Sequence, residues 1–133
     1  MEPPAYRRVA ANAMLLFALL VAVGVWVQVY LIGAYIFGAG ADALDAHEGA
    51  GYAVHGFELL VVIAALVARP SGREVGMSVA LAALGTLQIT LAQADKWAGA
   101  LHPLFALVVL TLAVMLVQSG MARRRAMTAR AAA

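Results

Sequence analysis

VAANAMLLFALLVAVGVWVQVYLIGAYIFGAGA, residues 9–41, runs from Arg8 to Asp42 without one charged side chain. A helix rises about 1.5 Å per residue, so roughly 20 mostly apolar residues cross the hydrocarbon layer of a bilayer. This stretch is long enough to do so, with a span expected over about 10–37. Outward from it the pattern repeats. A second apolar run follows Asp45 and ends at Arg69, broken only by Glu48, Glu58, His47 and His55. A third runs from Glu74 to Asp95 and a fourth from Leu101 to Gln118, giving expected spans 46–68, 73–94 and 101–119. β-barrel strands are about half as long and alternate apolar with polar residues, which these do not.

Composition agrees. Of 133 residues, 65% are hydrophobic and 12% charged, and the mean hydropathy is +0.91. A soluble domain carries about half apolar and a quarter charged residues, so the solvent for this chain must be lipid. The length allows a single membrane domain, 1–133. The absence of cysteine excludes disulfides, thiolate metal sites, iron–sulfur clusters and a cysteine nucleophile. Hydrolase and nucleotide chemistry find no support either, since no Ser/His/Asp set, phosphate loop or His-Glu-x-x-His motif occurs.

The breaks between spans carry punctuation. Gly38 and Gly40 are expected to end the first helix. Asp45 with Glu48, and Ser71 with Glu74, read as capping boxes opening the second and third. Pro103 suits the first turn of the fourth, placing His102 at or next to its N-cap. Connections this short make sequential helices antiparallel neighbours, so the expected fold is an all-α, integral-membrane, four-helix up-down bundle.

Charge orients it. Arg7, Arg8, Arg69, Arg73, Arg123, Arg124, Arg125 and Arg130 fall on one side of the spans; Lys96 lies opposite with Asp42, Asp45, Glu48 and Asp95. By the positive-inside rule both termini, and the basic tail 120–133, are expected in the cytoplasm. The tail is thus a topology signal that meets anionic lipid, and no nucleic-acid partner is expected. The first apolar stretch is too long for a cleaved signal peptide.

The two halves of the chain echo one another. Val27-Gln28-Val29-Tyr30-Leu31 resembles Leu87-Gln88-Ile89-Thr90-Leu91, and each glutamine leads through an outer loop to a histidine, His47 or His102. Helix pairs 1–2 and 3–4 run the same way, a parallel repeat about an axis along the membrane normal. Helices two and four both start at the outer surface, on diagonal positions, so His47 and His102 share one depth. Two imidazoles facing across a bundle core suit the two axial positions of haem iron. Each is expected in the first turn of its helix, where the dipole disfavours imidazolium and leaves a neutral ligand. Gly51, one turn below His47, leaves room for the ring edge, and Gln28 and Gln88 are candidate hydrogen-bond partners of the ligands. A copper or zinc site from His47, Glu48 and His102 ranks below haem, because adjacent helical residues point apart.

Deeper in helix two, Glu58 lies roughly 16 Å below His47, and His47, Gly51, His55 and Glu58 form one inward stripe. His55 and Glu58, three apart, can pair. An ionisable pair at that depth is a functional hypothesis by default. It reads as a proton relay, part of a quinone pocket with Tyr52, or a hydrogen bond between helices; the last is favoured for Glu58, since helix four has no matching acid. Gly85, Gln88 and Ala92 read as a small-residue stripe around one polar contact, and Trp97 as an interfacial anchor.

On Gln28, Leu31, Gly33, His47, Gln88 and Leu101-His102-Pro103, the chain resembles a bacterial, largely actinobacterial, family of small four-span membrane proteins without an assigned activity. It is more distantly similar to one half of haem A synthase, a four-helix bundle whose second and fourth helices each give an outer-side haem ligand. That resemblance implies His47 and His102 as ligands in a bacterial cell membrane. The enzyme's glutamate three residues before the helix-two ligand is replaced by Leu44, so its chemistry is not carried over.

The expected function is therefore a b-type cytochrome: one non-covalent haem b near the outer face, used for electron transfer or haem handling. Its partners would be a quinol or an outer-side redox protein, with a homo-oligomer another expected association. The alternatives are a cofactor-free accessory subunit of a larger membrane complex and a proton or small-solute pathway along His55 and Glu58.

Overall fold

The computed structural model describes residues 4–132; residues 1–3 and 133, at the edges of the expected domain, and the side chain of Arg130 lie outside the described set. Five helices follow in order: α1 Ala5–Ile36, α2 Ala41–Ala68, α3 Gly72–Ala92, a short α4 Lys96–Gly99, and α5 His102–Ala131. Four of them are long and apolar enough to cross a membrane.

α1 packs on α2 and α5, and α3 packs on the same two, so the long helices close into a ring with α2 and α5 facing across it. Direction alternates from one to the next. Asn12, Glu74, Arg123 and Arg124 meet at one end of the ring, while Gln28, His47, Gln88 and His102 meet at the other. The first end also receives Arg7 and Arg8 at the start of α1, Arg69 after α2 and Arg73 at the start of α3.

The core is built from small and medium residues at helical spacing. Met14, Ala18, Val21 and Val25 of α1 meet Val54, Val61 and Ala65 of α2, Leu81 of α3, and Val109, Ala113 and Leu116 of α5. Small side chains let backbones approach closely where lipid, not water, surrounds the bundle. Large apolar side chains point outward instead, including Leu16, Leu19, Val23, Trp26, Ile63, Leu66 and Leu107. A soluble protein does not expose apolar faces of that extent, so these faces contact the bilayer.

The turn chemistry differs from expectation at one junction. α2 starts at Ala41, five residues before the expected 46, and no side chain caps it. The Asp45–Glu48 capping box does not form, because both residues already lie inside the helix. The cause is the pair of glycines: Gly38 (φ +92°) and Gly40 (φ +84°) reverse the chain at once. The helix-forming run Ala41–Leu44 then joins α2. His47 therefore sits in the second turn, beyond the part of the helix where the dipole acts strongly.

The other caps follow expectation. Glu74 N–H donates to Ser71 Oγ at 3.3 Å, and Ser71 N–H donates to Glu74 Oε2 at 3.0 Å. His102 is the first residue of α5 and Pro103 occupies its first turn. The basic segment from 120 onward is not a separate tail but continues α5 as helix to Ala131. α4, which no periodicity announced, is a single turn opened by Asp95, whose Oδ1 accepts from Ala98 N–H at 3.1 Å.

Candidate functional site

His47 and His102 meet across the ring, with ring centres 6.3 Å apart and planes at 72°. Each is tethered in the same way. His47 Nδ1 donates to the backbone carbonyl of Gln28 at 3.1 Å, and His102 Nδ1 donates to that of Gln88 at 2.8 Å. A carbonyl oxygen can only accept, so a proton sits on Nδ1 in both rings, and the neutral tautomer of each carries its lone pair on Nε2. That tautomer, held by a carbonyl, is the usual arrangement of a metal-ligating histidine. The two glutamines reach the histidines through their main-chain carbonyls, not through their amides.

The amides do something else. Gln28 Oε1 and Gln88 Oε1 are both buried, and neither has a hydrogen-bond partner among the described residues. A buried amide oxygen left unpaired costs about 1–3 kcal/mol, so two at one level call for a donor that the chain does not supply. Gly51 makes room for one of them: a Cβ there would stand 2.6 Å from Gln28 Nε2. The space the sequence assigned to the ring edge is first of all space for this side chain.

Gln28, Gly51, Tyr52, Gln93 and the two histidines line a cavity of about 330 Å³ between the helices at this end. Glu48 is also on its wall, yet among the described residues no three His, Cys, Asp or Glu side chains gather closely enough to hold a metal ion. The three-ligand copper or zinc arrangement with Glu48 therefore does not assemble.

Residues 28–95, which carry Gln28, His47, His55, Glu58 and Gln88, match a family of unknown function, DUF6220. The chain belongs to that family. No curated protein and no solved structure matches it. The DUF6220 match stops short of His102, so the second histidine of the pair stands on its geometry.

Below the cavity a second polar cluster of this DUF6220 chain assembles around Glu58, whose Oε2 is paired and whose buried Oε1 has no partner among the described residues. His55 Nδ1 and Glu58 Oε2 are 2.7 Å apart, and Glu58 is completely buried. His55 Nε2 reaches Thr86 Oγ1 at 3.4 Å, and that hydroxyl donates to the carbonyl of Ala82 at 3.0 Å. With the Thr86 proton so used, His55 Nε2 is the donor toward Thr86, and Nδ1 and Oε2 hold each other in one hydrogen bond. Gly85 forms its cradle, since a Cβ there would overlap the Glu58 carboxyl group. Thr86 does not stand out in the sequence; its place one residue after Gly85 on the small-residue stripe is the available signal.

The opposite end holds a contact the sequence does not announce. Glu74, besides capping α3, is ion-paired with Arg123 of α5. Its signal is a cap acid facing an arginine run at the end of the next span.

Proposed function

We propose that the protein is a b-type membrane cytochrome in which His47 and His102 are the axial ligands of one non-covalent haem b. The separation of the two tethered imidazoles carries the reading. Their ring centres stand 6.3 Å apart, so one haem iron could be held between His47 and His102. When bound, haem supplies reversible one-electron chemistry.

The chain's own residues hold and insulate that position. The Gln28 and Gln88 carbonyls fix the tautomer and aim of each imidazole and raise its basicity as a ligand. The two amides can turn either NH₂ or C=O toward a guest, which suits a group with carboxylate substituents or a bound water. Held by both His47 and His102, the group would exchange electrons rather than bind oxygen. By the positive-inside rule the histidine end faces outward, with both termini in the cytoplasm of a bacterial cell, and the exchange partner is a quinol or an outer-side redox protein.

A parallel half-repeat gives this site its symmetry. The buried positions of α1 (Met14, Ala18, Val21, Ala22, Val25) recur sixty residues later in α3 as Glu74, Ser78, Leu81, Ala82 and Gly85. Gln28 and Gln88 keep the same offset. In α2 and α5 the offset is fifty-five, relating Val54 to Val109, Glu58 to Ala113, Val61 to Leu116 and His47 to His102. Volumes are exchanged within this pattern: Glu58 of the first half stands where Ala113 stands in the second, and Gly85 of the second half where Val25 stands in the first. The His55–Glu58 pair, ending at a hydroxyl already committed to Ala82, supports a fixed link between α2 and α3 rather than a through-going proton path.

Haem content of purified wild type and single variants tests the proposal. His47→Ala and His102→Ala should each lose low-spin haem while retaining helical content, and His55→Ala should keep it. Equal haem in all four proteins would reject the pair, and loss only in His55→Ala would move the ligand to His55.

A further inference from the structure

At the arginine-rich end, a second cavity of about 470 Å³ lies between α1 and α5, lined by Arg8, Asn12, Arg124, Met127 and Thr128. We propose that it is a binding site for the phosphate group of an anionic phospholipid, with the acyl chains running down the outer groove between α1 and α5.

The donors are arranged for an anion. Arg8 and Asn12 are one turn apart on α1, and Arg124 stands opposite on α5, one turn before Thr128, whose hydroxyl donates to the Arg124 carbonyl at 3.2 Å, so the donor side chains flanking the space are Arg8, Asn12 and Arg124. Arg124 Nε donates to Asn12 Oδ1 at 3.0 Å. That bond spends one of the five guanidinium N–H groups and pins the side chain, leaving the Nη1/Nη2 edge for bidentate contact with phosphate oxygens. It also turns the Asn12 NH₂ into a free donor direction, because its oxygen is the one engaged. No acidic side chain is among the described lining residues, and Glu74, at the same end, is already paired with Arg123.

The surroundings distinguish a lipid from a free anion. Along α1 the face that starts with Arg8 and Asn12 continues at helical spacing through Leu16, Leu19 and Val23, all exposed. Along α5 the face of Thr128 and Arg124 continues through Met121 and Val114, also exposed. Cations at the level of the headgroups thus pass directly into two apolar stripes, the order of a phospholipid read from phosphate to chain. Gly120 keeps the floor closed, since even a Cβ there would come within 3.0 Å of Leu15 Cδ1. Basic pockets between spanning helices on the cytoplasmic side are a known mode of anionic-headgroup recognition.

The test is native mass spectrometry of the full chain in neutral detergent, titrated with phosphatidylglycerol, phosphatidylcholine or inorganic phosphate. The expected result is at least tenfold tighter retention of phosphatidylglycerol than of phosphatidylcholine. Arg8→Gln and Arg124→Gln should each reduce it at least fivefold, whereas Arg125→Gln, at the same end but off the cavity, leaves it within twofold. Arg124→Lys keeps the charge and removes the fork, and should still lose severalfold. Equal retention of the two lipids, an equal loss in Arg125→Gln, or full retention in Arg124→Lys would reduce the effect to diffuse charge and overturn the site. Inorganic phosphate binding as tightly as phosphatidylglycerol would overturn the assignment to lipid. Haem content does not enter the readout, so the outcome is independent of the histidine pair.

Discussion

Replacing Gly85 by alanine puts one methyl group into the tightest place in the bundle. The new Cβ would overlap the Glu58 carboxyl group and stand 2.8 Å from His55 Nδ1. Neither neighbour can yield freely, because Glu58 is completely buried and the two side chains hold each other at 2.7 Å. Overpacking a close-packed site costs about 1–3 kcal/mol. Displacing a hydrogen bond to a charged or proton-sharing group adds about 1.5–3 kcal/mol, so a loss of roughly 3–5 kcal/mol is expected. Gly76, on the same helix, faces open space: a methyl group there would have no other atom within 4 Å. Gly76→Ala should therefore be neutral or stabilising by about 0.5–1 kcal/mol through helix propensity. Reversible unfolding in mixed detergent micelles, followed by helicity, measures both. A double variant adds a second check: Glu58→Ala removes the obstructing carboxyl, so Gly85→Ala should cost far less in its presence than alone. Equal stability of Gly85→Ala and Gly76→Ala, or strict additivity with Glu58→Ala, would refute the packing described for this pair.

Other substitutions probe the ends and the outer cavity. Ser71→Ala removes the hydroxyl that accepts from Glu74 N–H, leaves the residue-71 N–H bond to Glu74 Oε2, and should lower stability by about 1 kcal/mol in the same unfolding assay. Gly38→Ala imposes a side chain on a φ of +92°, and a loss of about 1–2 kcal/mol is expected there, while Gly33→Ala, helical and contact-free like Gly76, should be neutral or stabilising by about 0.5–1 kcal/mol. Gly51→Ala pushes on Gln28 Nε2 from 2.6 Å and should weaken haem retention several-fold, measured by haem transfer to a soluble acceptor, while leaving the helix content unchanged.

The span count and the depth shared by His47 and His102 were legible because both follow from uninterrupted apolar length and helical rise. The Ser71–Glu74 box and Pro103 were legible because capping uses local chemistry. The start of α2 was not: Asp45 and Glu48 have the right spacing for a cap. The positive φ of Gly38 and Gly40, visible only in the folded backbone, lets the helix begin earlier. Gln28 and Gln88 were found by their side-chain identity yet tether the histidines by their carbonyls, which every residue type carries. That part of the site belongs to backbone position, and a sequence cannot display it. The Glu74–Arg123 pair joins two sequential spans expected to be neighbours, yet which of the arginines 123–125 faces Glu74 depends on the rotation of α5 about its axis, which a sequence does not display.

The most direct measurement is the reduced-minus-oxidised absorption spectrum of the protein purified from haem-supplemented cells, with the electron paramagnetic resonance of its oxidised form. A sharp α band on reduction and a low-spin bis-imidazole signal, at one haem per chain, is the predicted result. A folded, helical protein that stays colourless, or one whose haem is high-spin with a single imidazole, contradicts ligation by both His47 and His102.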